Sequence, residues 1–593
     1  MKIKKNFLII LLSTFNAFYS QTYNIKEHKA WIHRDFIDRH SKNMDIVYKR
    51  AVNTRALAAD TTVIPLMPGW PVNVGRWPRY PMVYDFDKDG SNELVITELV
   101  GSGYIYIFRS NGEMYSSCWP HRVGQKAGFS TPAIADLNND GIPEIIVVEN
   151  TDVCADYFPN GRVHVFEPDG SYFSGWPVVL GGTHEWVNCV TVEDINGDGY
   201  KDIITGTETE LYAYNYDGTI LPGWPFRPGV DIGLNVGPRS PIVVVDLDGD
   251  GCSEIITGCC NYDDPNGGKN AIYVLRYDGT VLEGFPVITD NWNYSLAAAD
   301  MDGDGEVEIY SHGEEKYDRF GRRDTTWRND YYAYSKLAFA DVDRDGELEL
   351  GFGTAYHAYV FLVDKNGDPL PGWPVKTREG GDIVDGNPLI GDIDGDGEVE
   401  VVITSYRTNV VFAWNVDGTP VEGFPIVSDG NCFRLAMDDL DNDGDIEIVS
   451  TCGDSFIYVW DCPWEIEEPL LEWPVFQHDE RHTGTYPSNG GVGVEDLKTG
   501  HAGGLFLSAH PNPFNSEATI YYRVGVSTHV ELKIYDTLGR DVCVLVDGER
   551  LSGSYRIRWK GIDFNGRPVT SGVYILRLKT DRDVLSRRVL FVR

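Results

Sequence analysis

From Pro65 to Tyr486 the chain alternates short apolar runs with polar turns. One unit shows the pattern. An apolar run at 389–393 is followed by a second at 399–404 and a third, alternating in character, at 409–414. Asp417-Gly418 then supplies a hairpin turn, and Gly423-Phe424-Pro425 opens the next unit. The spacing predicts four short strands per unit, joined by tight turns. Ahead of this region, residues 31–37 and 46–52 space their apolar side chains as helices do, which predicts one or two amphipathic helices or a partly ordered leader over 21–64. Beyond Tyr486 the Gly-rich stretch 487–504 has linker composition. Apolar runs at 520–524, 530–535, 555–559, 573–578 and 589–593 then predict a small β-sandwich over 505–593.

Between the first two runs of each unit stands an acidic nonapeptide. In the seventh it reads Asp392-x-Asp394-x-Asp396-Gly397-x-x-Glu400, and a β-run follows at once. Three carboxylates at alternate positions, a glycine for the bend and a fourth carboxylate make an oxygen cage for a hard cation, and Ca²⁺ takes six to eight such oxygens. An EF-hand places its last Glu at position twelve, on a helix; here the last acid is at position nine, at the mouth of a strand. The loop is therefore predicted to join two strands.

The nonapeptide recurs eight times, with its first acids 51, 58, 52, 54, 41, 51 and 47 residues apart. The side chains at positions one, three, five and nine are Asp85, Asp87, Asp89 and Glu93; Asp136, Asn138, Asp140 and Glu144; Asp194, Asn196, Asp198 and Asp202; Asp246, Asp248, Asp250 and Glu254. The later four are Asp300, Asp302, Asp304 and Glu308; Asp341, Asp343, Asp345 and Glu349; Asp392, Asp394, Asp396 and Glu400; Asp439, Asp441, Asp443 and Glu447. A period near 50 residues marks a propeller or an array. Eight four-stranded units fill the 422 residues of 65–486, so the region is predicted to close as an eight-bladed β-propeller, with seven blades plus a divergent unit as the alternative.

An aromatic marks each seam: Gly69-Trp70-Pro71, Cys118-Trp119-Pro120, Gly175-Trp176-Pro177, Gly223-Trp224-Pro225, Gly284-Phe285-Pro286, Gly372-Trp373-Pro374 and Gly423-Phe424-Pro425. Trp327-Arg328 stands at one seam without proline, and Trp473-Pro474 makes a ninth copy. These aromatics are read as wedges between sheets, with proline where no ladder donor is needed. Nine seams for eight loops imply that the first and last blades are completed across the join.

Composition refines the picture. The formal charge is −39, and 30 of the 90 acids occupy the four cage positions. Eight divalent cations would bring that charge to −23. The remainder argues against nucleic acid and against anionic lipid as partners. A basic start, Met1-Lys-Ile-Lys-Lys5, and an apolar stretch at 7–12 predict a secretory signal over 1–20. No cysteine follows it closely, so no lipoprotein anchor is expected, and no later run is long enough to span a membrane. Of the ten cysteines, Cys452 and Cys462 flank the run 456–460, where a bridge between strands and a pair of buried thiols are both open readings.

The acidic units resemble the FG-GAP/VCBS repeats of integrin-like propellers, over roughly 70% of the chain. That resemblance implies Ca²⁺ held by side chains one, three, five and nine and by the carbonyl of residue seven. Here the carbonyls belong to Ser91, Ile142, Tyr200, Cys252, Glu306, Glu347, Glu398 and Asp445. Asn138 and Asn196 replace a carboxylate by an amide, and those two sites are expected to be weaker. The C-terminal module carries 14 Lys and Arg against 9 Asp and Glu. Pro511-Asn-Pro-Phe514, 534–540, Gly553-Ser-Tyr555 and Ser571-Gly-Val-Tyr574 resemble the C-terminal sorting domain of type IX secretion, which overlaps the FlgD Ig-like family. The resemblance implies export by that machinery to the medium or the outer surface of a Gram-negative bacterium.

Catalytic signatures are missing. There is no nucleophile elbow, P-loop or dinucleotide fingerprint. His478-Asp-Glu-Arg-His482 has its acids in the wrong order for a zincin, and reads as the closing tail of the last blade. Glu314 and Glu315 are spare acids in an irregular stretch, 311–334, that also carries Arg322, Arg323 and Trp327. That stretch, 261–269 and 292–294 are the places where a rigid scaffold would present binding loops. The expectation is a calcium-stiffened binding or adhesion module for protein or glycan. The alternative is a polysaccharide-active enzyme like the rhamnogalacturonan lyases, which also use calcium-rich eight-bladed propellers.

Overall fold

The computed structural model describes residues 63–486 apart from 76, 99–102, 124–130, 150–160, 182–189, 208, 230–235, 239, 250–251, 262–269, 290–292, 330, 355–357, 378–383, 385, 406–408, 465, 467–470 and 480, and residues 506–591 apart from 511–517, 525–527, 537–539, 551–552, 563, 565–566, 568 and 581–583. The expected signal segment, nearly all of the leader and the linker lie outside them. Every regular element among the described residues is a strand. The chain forms two compact units, and the boundary falls after Tyr486.

In the first unit each acidic nonapeptide turns one strand into the next with the same register. The residue before the first Asp pairs with the last acid: Tyr84 with Glu93, Ala135 with Glu144, Glu193 with Asp202, Val245 with Glu254, Ala299 with Glu308, Ala340 with Glu349, Gly391 with Glu400 and Asp438 with Glu447. The corners therefore sit between strands, as the spacing predicts. A third strand returns beside the second in each case, giving eight antiparallel sheets in chain order. In the seventh, the strands are Leu389–Gly391, Glu400–Thr404, Val410–Asn415 and Ile426–Val427. Successive innermost strands pack side by side, from Ala133–Ala135 through Thr191–Glu193 and Val243–Val245 to Leu296–Ala299, and from Ala338–Ala340 through Leu389–Gly391 and Cys432–Asp438 back to Pro78–Tyr84.

The eighth sheet, Cys432–Asp438, Glu447–Cys452 and Phe456–Asp461, receives its outer strand from the start of the unit. Val72 pairs with Ile457 and Asn73 with Phe456. Pairing a strand from the start of the first unit with one near its end leaves no open ladder at the join. The first seam, Gly69-Trp70-Pro71, thus serves the last sheet.

At the seams Trp70, Trp119, Trp176, Trp224, Trp373 and Phe424 are buried, Phe285 and Trp327 are partly so, and the indole N–H groups reach across. Trp70 donates to the Ser110 carbonyl at 2.7 Å, Trp176 to Tyr216 at 2.8 Å, Trp224 to Tyr277 at 2.7 Å and Trp373 to Val416 at 2.7 Å. The preceding glycine lies on the same turn: a Cβ on Gly372, whose φ is +93°, would stand 1.9 Å from the Asp417 carbonyl oxygen. Seven of these aromatic–Pro peptide bonds are cis.

Trp473-Pro474 departs from its expected role. It begins a segment that runs inward, past the innermost strands of most of the sheets. Trp473 pairs with Ile390 of the seventh sheet, and the Pro474 carbonyl accepts from Met437 of the eighth. Phe476 packs edge-on to Tyr80 of the first sheet. Gln477 donates to the Ile242 carbonyl of the fourth sheet at 3.0 Å, Val192 of the third donates to Arg481, and Ala298 of the fifth pairs with Thr485. The segment 471–486 is thus an axial tie held by the inner strands, not a ninth seam.

The second unit packs two sheets. One holds Phe506–His510, Ala518–Val524 and Gly553–Trp559; the other holds Asp541–Arg550, Thr528–Asp536, Gly572–Lys579 and Val584–Phe591. Leu507, Ile520, Leu532, Trp559, Leu576 and Phe591 fill the space between them.

Candidate metal centre

Each corner is anchored from within. Position two, between the first two acids, is always apolar and buried: Phe86, Leu137, Ile195, Leu247, Met301, Val342, Ile393 and Leu440. Its backbone N–H donates to one oxygen of the position-nine carboxylate in all eight loops, at 3.0 Å in the first, 2.8 Å in the second and 2.8 Å in the seventh. The apolar plug thereby fixes the last acid before any ligand arrives.

The first acid organises the bend. Asp85 accepts from the N–H groups of Asp89 and Gly90, Asp136 from Asp140 and Gly141, and Asp392 from Gly395 and Gly397. Position five accepts from position seven, as Asp89 does from Ser91 and Asp396 from Glu398. Position six is left-handed, with φ of +97° at Gly90 and +84° at Gly397, where glycine carries no Cβ penalty. Position four is left-handed too, and it tolerates Lys88, Asn139, Arg344 and Asn442.

Side-chain oxygens converge in several loops. Asp85, Asp87 and Glu93 each bring one within 4.8 Å of the others; so do Asp246, Asp248 and Glu254; Asp300, Asp302 and Asp304; Asp341, Asp343 and Glu349; and Asp392, Asp394 and Glu400. Asp250 lies outside the described residues. In the second and third loops the amides turn inward on the acids: Asn138 donates to Asp140 at 2.8 Å and Asn196 to Asp202 at 3.3 Å.

Burial makes these carboxylates reluctant to ionise. It pushes Glu93, Asp202 and Glu308 up to about 7, Glu144 up to about 8, Glu400 up to about 9 and Glu447 up to about 10, with neighbouring acids adding to the rise. Oε1 of Glu144 and Oε1 of Glu400 are buried with no hydrogen-bond donor. A buried carboxylate oxygen without a donor is costly unless a cation meets it.

The eight loops differ in what faces them. Arg109, just past the third strand of the first sheet, lies 3.1 Å from Asp87 and 3.4 Å from Glu93. Arg276 in the fourth sheet is 3.3 Å from Asp248. Lys316 in the fifth, nearly buried, is 3.2 Å from Glu308 and 3.8 Å from Asp302. The second and eighth loops instead face a further acid, Glu167 and Asp461, each pushed up by burial and then by the loop's own acids. Among the described residues, Arg109, Arg276 and Lys316 thus bring a cation to the cage acids of the first, fourth and fifth corners, Lys365 pairs with Glu347 of the sixth, and the second and eighth carry added negative charge.

Neighbouring corners are also tied to one another. The position-two carbonyl accepts from position eight of the next loop: Leu137 from Lys201 at 3.2 Å, Met301 from Leu348 at 3.0 Å, and Leu440 from Asn92 across the join at 2.7 Å. Lys88 reaches the Gly141 carbonyl at 2.7 Å.

Other sequence candidates have structural partners. Glu315 is buried, accepts from the Tyr317 hydroxyl at 2.9 Å and lies 3.3 Å from Arg323. Arg481 pairs with Glu193 at 2.6 Å, and His482 Nδ1 lies 2.9 Å from the Val190 carbonyl. Burial pushes His482 down to about 4, so it is neutral within the axial tie. The strand-bridging reading of Cys452 and Cys462 is overturned: register sets Cys452 opposite Cys432, while Cys462 lies by Ile446 at the far end of the same hairpin.

Sheets built on a repeated acidic corner, closed by pairing first strand to last, define a repeat protein of the β-propeller class. The chain carries three FG-GAP-like repeats, at 85–147, 194–257 and 392–450, and ends in a secretion system C-terminal sorting domain at 508–592. No curated protein sequence matches it. Among solved structures it is similar to the V. cholerae biofilm matrix protein Bap1 (14% identity, 72% of this chain and 96% of that one, TM-score 0.39). It is also similar to BBS1N, solved in complex with ARL6DN (13% identity, 68% and 98%, TM-score 0.38). A third is PorZ, a surface component of the type IX secretion system of Porphyromonas gingivalis (12% identity, 86% and 70%, TM-score 0.25). Similarity at this level assigns neither ligand nor activity. The sorting domain marks the chain for type IX export, to secretion or surface display. Among the described residues no helix is long and apolar enough to cross a membrane.

Proposed function

We propose that this is an exported eight-bladed propeller whose acidic corners are held by Ca²⁺, and that the stiffened ring is a binding module for a protein or glycan at the cell surface. The observation that carries the reading is the repeated lock at position nine, together with the buried, donorless Oε1 of Glu400 in a group whose oxygens lie within 4.8 Å of one another. Hard oxygens at that spacing suit Ca²⁺. The ligands would be side chains one, three, five and nine and the carbonyl of position seven. The cation would neutralise carboxylates that burial otherwise forces to hold protons, and because no cage exists in the unfolded chain, binding would add to folding stability.

Recognition is assigned to the loops between strands, because the axial tie lies along the inner strands and Glu315, Arg322 and Arg323 are engaged in pairs. The test is a protein and glycan array probed with the full chain in calcium and in EDTA. Binding that requires calcium is the expected result. Binding of no surface component in either condition, with the protein folded, would overturn the module reading.

A further inference from the structure

We propose that in the exported protein Cys432 and Cys452 are joined by a disulfide that staples the sheet where the ring closes. Cys432 begins the innermost strand of the eighth sheet and Cys452 ends the second. They are direct register partners, and their sulfurs stand 3.2 Å apart. Both are buried, at 1% and 0% exposure. A disulfide needs about 2 Å between sulfurs and Cα atoms about 4.4–6.8 Å apart, which directly opposed residues of an antiparallel pair provide. Closing the gap asks for a movement of roughly 1 Å, within reach of two side-chain rotations.

The placement gives the bond a purpose. The hairpin 432–452 has its acidic corner at one end and the cysteine pair at the other. The same sheet takes its outer strand from Val72–Asn73, so it joins residues nearly four hundred positions apart. A cross-link there constrains the hairpin that the ring's last strand needs as a template. The chemistry balances simply. Two thiols lose two protons and two electrons, one S–S bond forms, and a disulfide-carrying oxidoreductase of the export compartment is reduced to its dithiol.

The proposal rests on the export reading, and the test separates the two. The full chain is prepared from an exporting host and from a reducing cytosol, and the cytosolic sample is also treated with oxidised glutathione. Each is denatured, alkylated without reduction and peptide-mapped. The expected result is a linked Cys432–Cys452 peptide pair, two hydrogen masses light, in the exported and the oxidised samples, with Cys462 alkylated. Reductant should lower the Tm of the exported protein by a few degrees and leave that of Cys432→Ser unchanged. Alkylation of both residues in all samples would overturn the geometry. A bond formed by glutathione but absent after export would overturn the proposal for the native protein and place the fault in the compartment. A Cys452–Cys462 link would overturn it outright.

Discussion

Lys316→Met puts the resident-cation argument at risk, because it should move two measurements in opposite directions. Lys316 Nζ lies 3.2 Å from Glu308 and 3.8 Å from Asp302, with its side chain 9% exposed. Without metal, the variant leaves Glu308 short of its cation. Burial already holds that carboxyl at about 7 while Lys316 pulls it down, so the acid escapes by taking a proton. The cost should therefore be about 2 kcal/mol, less than the ~3–5 kcal/mol of a stranded buried charge. With Ca²⁺ at the corner the sign reverses. A divalent ion about 6 Å from an ammonium, at an effective dielectric near 40, is repelled by about 3 kcal/mol, roughly a hundredfold in Kd. Calorimetric unfolding in EDTA should show a lower Tm for the variant, and calcium should recover it. Calcium titration by isothermal calorimetry should show one more tight site than in the wild type. An unchanged site count, or a Tm loss of equal size with and without calcium, would refute the assignment of Lys316 as an occupant of the corner.

Three further outcomes are expected. Glu144, Glu400 and Glu447 are raised by burial to about 8, 9 and 10, so between pH 5 and 8 the metal-free fold holds protons that the unfolded chain has released. Its stability therefore falls as pH rises through that range, while calcium replaces those protons; the Tm gap between calcium and EDTA should widen from pH 5 to pH 8, and a constant gap would contradict the cages. Asn138→Asp restores a carboxylate to the second corner and should raise its calcium affinity by roughly tenfold in calorimetry, with equal affinities counting against side-chain charge as the determinant. Gly372→Ala would drive a Cβ to within 1.9 Å of the Asp417 carbonyl at a positive φ, and should lower stability by about 3 kcal/mol or more in chemical denaturation, whereas a loss under ~0.5 kcal/mol would mean the seam can shift.

Much of this was legible in the chain because its information is local. The Asp-x-Asp-x-Asp-Gly corner, the β-run after it and the Asp417-Gly418 turn each lie within about ten residues, and local chemistry dictates their form. What the sequence hid depends on partners far along the chain. Trp473-Pro474 has the letters of a seam, but its fate is decided by Ile390, Ile242 and Ala298, up to 235 positions away from the residues that meet them. Cys452 and Cys462 look paired because one strand separates them, yet an antiparallel hairpin sets the end of one strand beside the start of the next, so two residues that each close a strand lie at its opposite ends. The resident cations lie between these cases. Arg109 and Arg276 stand at the close of the third strand of their units, where Glu167, Asn215, Asp318, Asp364, Asn415 and Asp461 stand in the others, and aligning the units on their third strands as well as their corners would have exposed the variable charge. That variable position matters more than the invariant acids for how the corners differ. Eight nearly identical cages predict eight nearly identical affinities; if the corners hold Ca²⁺ as proposed, a ring whose corners face Arg, Lys, Asn, Asp or Glu should instead load in an order set by these residues.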